Sequence, residues 1–144
     1  GVGSTDLLNG KIAAIRLSRR IPEHDFSEVV ARLMAACENG YTLASTFISP
    51  CERAVARELI RREIPFIKMV PDQLAMVYRP KDDEPALFGK GLYLLLSRVA
   101  PEGESRVAAW HGINEALAKM AEQNGVSLYV EPRGGKLAWR FSPS

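Results

Sequence analysis

Residues Tyr41–Arg62, YTLASTFISPCERAVARELIRR, decide the fold. Tyr41–Phe47 is β-prone and apolar, and it delivers the chain to Ser49-Pro50-Cys51-Glu52. Ser and Glu three residues apart form a capping-box spacing, with proline at the first helical position, so a helix starts at Pro50. Its apolar positions Val55, Ala56, Leu59 and Ile60 continue to about Arg62, and Pro65–Val70 (PFIKMV) reads as the next strand. Upstream, Lys11–Leu17 (KIAAIRL) is another short apolar run, ended by Ser18-Arg19-Arg20-Ile21-Pro22. From Asp25, Phe26, Val29, Val30, Leu33, Met34 and Cys37 recur at three- and four-residue steps, and Asn39-Gly40 supplies a stop. The order is therefore β-α-β-α-β.

Such alternation, with near-continuous apolar strands, predicts a parallel sheet covered by helices on both faces. The fold class is α/β, a Rossmann-like three-layer domain with a mainly parallel sheet. Asp72–Pro85 reads as a polar surface connection, with Leu74, Met76 and Val77 suggesting a helical turn. Gly91–Ser97 (GLYLLLS) is the strongest strand, Glu104–Glu122 a helix, and Val126–Val130 (VSLYV) a further strand. Lys136–Phe141 (KLAWRF) alternates as an edge strand does. One domain is expected over 11–144. Residues 1–10 lack apolar periodicity and read as a flexible start, with Gly1 as a tag remnant.

The 144 residues, 25% charged and 47% hydrophobic, suit one soluble core and exclude a multidomain machine. The longest apolar stretch, Gly91–Ser97, is far short of the roughly 18 to 20 residues of a membrane span, and no leader opens the chain. No membrane partner is expected. Two cysteines, Cys37 and Cys51, make no disulfide framework, so a reducing cytoplasm is the expected location. The net charge of +2 argues against dedicated duplex-DNA binding, although 13 of the 19 cations are arginine. Any polyanion site must be local. His24 and His111 have no companion at ligand spacing, so no metal is expected. The dinucleotide, P-loop and hydrolase glycine motifs do not occur, so no cofactor is expected either.

In an open α/β sheet the ligand lies beyond the carboxyl ends of the strands, which singles out the loops there. Ser18, Arg19 and Arg20 follow the first strand and read either as bidentate phosphate ligands or as a solvated basic turn. At the second helix, Ser45, Thr46 and Ser49 supply hydroxyls beside free backbone N–H groups, with Arg53 one turn on. Against that, Ser49 and Glu52 satisfy one another as a cap. Gly134, Gly135 and Lys136 follow the last core strand and read either as a phosphate-approaching turn with Arg133 or as a hairpin turn. Cys51 sits at a helix start, where the dipole favours thiolate, but no base identifies itself, and a packing cysteine is the other reading. Trp110 and Trp139 suit either base stacking or the core.

Asn39-Gly40-Tyr41-Thr42-Leu43-Ala44-Ser45 followed by Ser49-Pro50-x-Glu52 resembles the DNA-processing protein A (Smf) family, in particular a short single-domain branch. That family lies within the Rossmann-like superfamily shared with lysine-decarboxylase-like phosphoribohydrolases. The similarity extends through Ile12–Arg20, Gly91–Ser97, Asn114–Glu122 and the Gly134-Gly135-Lys136 turn, nearly the whole chain in short motifs. Leu17 and Thr46 stand where the family has loop glycines, which crowds the expected pocket. Arg98 replaces a proline, and Glu115 replaces an arginine of the single-strand site. The phosphoribohydrolase motif is present only as Pro132-Arg133-Gly134-Gly135, so that activity does not carry over.

The resemblance implies binding of single-stranded DNA or a nucleotide at the loop edge, a role in DNA uptake or recombination, homodimers, and a separate protein partner. The alternatives are a small-nucleotide enzyme with Glu52 or Glu131 as base, for which no second catalytic group appears, and an interaction domain without ligand.

Overall fold

The computed structural model describes residues 2–70, 81–97 and 104–143. Strand β1 (Val2–Gly3) and a short 3-10 helix over Thr5–Asn9 precede β2 (Lys11–Leu17). Helix α1 (Phe26–Glu38), β3 (Tyr41–Ser45), α2 (Pro50–Arg61) and β4 (Phe66–Val70) follow. The chain continues through α3 (Glu84–Gly89), β5 (Tyr93–Ser97), α4 (Arg106–Asn124), β6 (Gly125–Arg133) and β7 (Lys136–Pro143). The expected features at Leu74, Met76, Val77 and Arg98 lie outside the described residues.

The strands form one 7-stranded sheet in the order β1-β5-β4-β3-β2-β6-β7. β5, β4, β3, β2 and β6 are mutually parallel, while β1 and β7 are antiparallel edges. Because β2 is buried on both faces, its sequence is apolar throughout except at Lys11 and Arg16, which are exposed. Ala13, Ile15 and Leu17 join Leu33, Val55 and Leu87 in the core under α1, α2 and α3. Ile12 and Ala14 face the other way, onto Ile113, Leu117 and Ala121 of α4. This is the Rossmann-like three-layer arrangement expected from the alternation.

The local signals act as their chemistry requires. Ser49 and Glu52 form both halves of a capping box at α2, with Pro50 in its first turn. Gly40 ends α1 at φ +92°, a conformation a side chain disfavours. Ser105 caps α4 by accepting the Ala108 N–H at 3.1 Å.

One expectation is corrected. The sequence reads residues 1–10 as a flexible start, but Val2 and Gly3 pair with Leu95 and Leu94, and the Ser4 N–H donates to the Tyr93 carbonyl at 3.0 Å. Leu7 and Leu8 then pack on the core beneath α4. Two residues of strand carry no periodicity; an open edge of β5 supplies the order instead.

Chain order places the functional edge. From β2 the strands run outward through β3, β4 and β5, and α4 then carries the chain back to β6 on the other side of β2. The order reverses at β2, and open α/β sheets hold their ligands at the carboxyl ends of strands at such reversals.

Candidate functional site

The loop leaving β2 is built around Ser18. Its N–H donates to the Val130 carbonyl of β6 at 2.9 Å, and its Oγ accepts the Arg20 N–H at 3.1 Å. Ile21 is buried in the core and anchors the far side of the turn. Arg19 and Arg20 are thereby left exposed at the sheet's edge.

The loop after β3 turns through Phe47, a non-glycine residue at φ +52°. Ser45 Oγ accepts the Phe47 N–H at 3.1 Å, and the Phe47 ring packs edge-on against Phe66 with centroids 5.3 Å apart. The packing stabilises a backbone conformation that side chains rarely adopt. Thr46 needs no such conformation; its hydroxyl donates to Glu52 Oε1 at 3.4 Å.

Glu52 joins the two loops. Only 5% exposed, it accepts the Leu17 N–H on Oε2 at 2.9 Å and the Ile48 and Ser49 N–H groups on Oε1 at 3.0 and 3.3 Å. Three of its four donors are backbone N–H groups and the fourth is the Thr46 hydroxyl, so its lone pairs are committed to these hydrogen bonds. That supports the capping role over that of a general base. Leu17 joins the core under α1 and α2. Leu17 nevertheless stands at the wall of the cleft between the two loops, only 3% exposed.

Between these loops, α4 and β6 lies a cleft of about 430 Å³. Ser18, Arg19, Arg20, Thr46 and Ser49 line it, as does Glu52. Arg16 and Leu17 from β2, Ile48 from the loop before α2, Asn114 from α4 and Tyr129 from β6 complete the wall. The other sequence candidates lie elsewhere. Ser45 is fully buried behind the loop, and Arg53 lines a groove on the opposite face with Arg57 and Lys68. Gly134 and Gly135 form the two-residue turn of the β6–β7 hairpin, at φ +55° and +79°, with Arg133 paired to Lys136 across it. Positive φ at both positions is what a tight hairpin turn demands. These glycines and Lys136 are exposed and do not line the cleft.

The electrostatics favour an anion. Arg16 and Arg19 make no ion pair with a described acidic residue, and the Arg16 guanidinium lies 5.1 Å from the Tyr129 ring centroid. Arg20 reaches Glu131 at 3.5 Å, while Arg133 and Arg140 each donate to Glu131 at 2.9 Å. Burial alone pushes the Glu131 carboxyl up, but the Tyr129 hydroxyl, Arg140 and Arg133 outweigh it and hold it below the ordinary range. Glu131 is thus a tether for three arginines rather than a base.

Arg16, Asn114 and Tyr129 were not singled out as site residues from the sequence. Arg16 interrupts an apolar strand, which is a legible signal, but only the β2–β6 register sets it opposite Tyr129. Cys51 is 1% exposed, and burial, then the charge of Glu52, pushes its thiol up to about 11. Cys51 is therefore the packing cysteine of the two readings, a member of the core in which desolvation outweighs the helix dipole. Trp139 packs under Arg32 on the α1 face, away from the cleft, and of Trp110 only the backbone is described.

Among the described residues no three His, Cys, Asp or Glu side chains converge as a metal centre requires, and no helix is long and apolar enough to cross a membrane. Compared with known proteins, the chain matches no family model, no curated protein and no solved structure.

Proposed function

We propose that this domain binds a phosphate-bearing ligand, single-stranded DNA or a nucleotide, at the C-terminal edge of its sheet. The observation that carries the reading is the convergence of Arg16, Arg19 and Arg20 with the Ser18 and Ser49 loops, at the strand where chain order reverses. Arginine suits this role because its planar fork meets phosphate oxygens bidentately. The resemblance to the DNA-processing protein A family adds a role in DNA uptake or recombination, as a cytoplasmic homodimer acting with a separate protein. The commitment of Glu52 and Glu131 to hydrogen bonds and arginines favours a binding module over an enzyme.

The test is a fluorescence-anisotropy titration of labelled oligothymidine at two salt concentrations. Saturable binding is expected, weakening with salt by a slope of about 0.7 in log units per phosphate contacted. Arg19→Ala and Arg20→Ala should each weaken binding and flatten that slope without loss of stability, since exposed arginines contribute little to folding. Unchanged affinity in both variants removes the site. No binding even at low salt turns the reading to an interaction domain without ligand.

A further inference from the structure

On the opposite face of the sheet, a groove of about 510 Å³ lies between α2, β4, β5 and α3, and it shares no lining residue with the loop-edge cleft. We infer that this groove is a separate ligand site, which takes a small monocarboxylate with an apolar body and seats its carboxylate on Lys68.

Lys68 is out of place for its strand. β4 lies inside the sheet, parallel to β3 on one side and β5 on the other, and such strands are apolar because both faces are covered. Alternation sets Lys68 on the face of Phe66 and Val70, which pack in the core under α2 and α3. It is half-buried, and it makes no ion pair with a described acidic residue, although lysine is seldom buried without a partner. Arg53 and Arg57 are equally unpaired, and with Ala56 and Ile60 they form one stripe of α2 along the groove. The acids near them are engaged elsewhere: Arg61 and Arg62 hold Glu58, and Glu84 accepts the Tyr93 hydroxyl at 2.9 Å.

The rest of the wall fits an apolar body. Phe66 stands between Phe47 and Tyr93, with ring centroids 5.3 and 5.1 Å away, and Leu95 lies beside them. The whole lining carries four cations, with Lys81 the fourth, against Asp82, Asp83 and Glu84. One net positive charge matches a single carboxylate rather than a multiply charged phosphate, and an ammonium with flanking guanidinium groups meets a carboxylate by charge-assisted hydrogen bonds. The volume lies within the range of small-molecule sites, roughly 300–1,000 Å³.

The experiment is isothermal titration calorimetry at neutral pH with octanoate and naphthoate, each beside its neutral alcohol, octanol or naphthylmethanol. At least one carboxylate should bind one to one, and about tenfold or more tightly than its alcohol, the weight of one charge-assisted hydrogen bond. Lys68→Met, which keeps the length of the stem, should remove that preference and leave the protein at least as stable, since the position is that of an apolar strand residue. Ala56→Phe, which fills the groove from α2, should abolish binding of acid and alcohol alike. Circular dichroism confirms that each variant is folded, and Lys68→Gln takes the place of Lys68→Met if that variant is not. Failure of both carboxylates to bind wild type overturns the site, as does equal affinity for acid and alcohol. A carboxylate preference that survives the loss of the Lys68 charge overturns it too. Displacement of the bound carboxylate by oligothymidine overturns a separate site, and none of the other results bears on the loop-edge cleft.

Discussion

Replacing Glu52 tests the reading of the site most directly, because cap and general base predict different losses. Its carboxylate takes two well-placed N–H groups, Leu17 at 2.9 Å and Ile48 at 3.0 Å, and two longer donors, Ser49 at 3.3 Å and Thr46 at 3.4 Å. A hydrogen bond to a charged acceptor contributes about 1.5–3 kcal/mol, and a buried donor left unpaired costs a similar amount. Neighbouring bonds do not add, so Glu52→Ala should cost about 3–5 kcal/mol, with the two short bonds dominating. Glu52→Gln keeps one carbonyl oxygen but faces an NH₂ toward a backbone N–H, for a loss of about 2 kcal/mol. Against a total stability of roughly 5–15 kcal/mol these are large fractions. With a urea m-value near 2 kcal/mol/M, the midpoint should fall by about 1 M for Gln and about 2 M for Ala. Ser49→Ala, which removes only the reciprocal half of the cap, should cost about 1 kcal/mol. If both Glu52 variants unfold within about 0.3 M of wild type, the loop-joining role is refuted. Wild-type turnover of nucleoside monophosphates, abolished in an equally stable Glu52→Gln protein, would replace it with the base.

Further perturbations test the fold around the site. At Gly125, which pairs with Ile12, an added Cβ would lie 1.6 Å from the Ile12 carbonyl oxygen, so Gly125→Ala should force β2 and β6 apart and lower Tm by roughly 10 °C, about 3 kcal/mol; an unchanged Tm contradicts the pairing. Burial first and then Glu52 hold the Cys51 thiol near 11, and burial and then Glu38 do the same at Cys37, so both should alkylate at pH 8 about a hundredfold more slowly than free cysteine; a rate matching glutathione sinks that expectation. Hydrogen bonds from Arg61 and Arg62 hold the exposed Glu58 carboxyl down at about 2. Its contribution is therefore complete above the unfolded value of about 4.3 and is lost as pH falls from there through about 2. A carboxyl NMR titration of Glu58 should show the low midpoint and its rise in high salt; a midpoint at the ordinary value contradicts the pairing.

Much of the framework was legible from local chemistry. Apolar runs marked strands buried on both faces, Ser49-Pro50-x-Glu52 marked the start of α2, and Gly134-Gly135 read as a hairpin turn among its alternatives. Such signals act within a few residues, through backbone hydrogen bonds, proline's fixed φ and glycine's freedom, so the sequence alone carries them. It also brought Ser18, Arg19, Arg20, Thr46 and Ser49 to notice, since they follow strands.

The tertiary structure decided what joins what. Periodicity tells which face of a segment is buried, not which element buries it, so the site's walls from β6 and α4 were hidden. Tyr129 meets Arg16 only through the β2–β6 register, and Glu131 gathers Arg20 from 111 residues away. Leu17 reaches Glu52 across 35 residues, and Val2–Gly3 becomes strand only because β5 offers an edge. Arg53 and the Gly134-Gly135 turn, equally basic or flexible on paper, lie away from the cleft for the same reason: position around the sheet follows from strand order, and strand order is a property of the packed core.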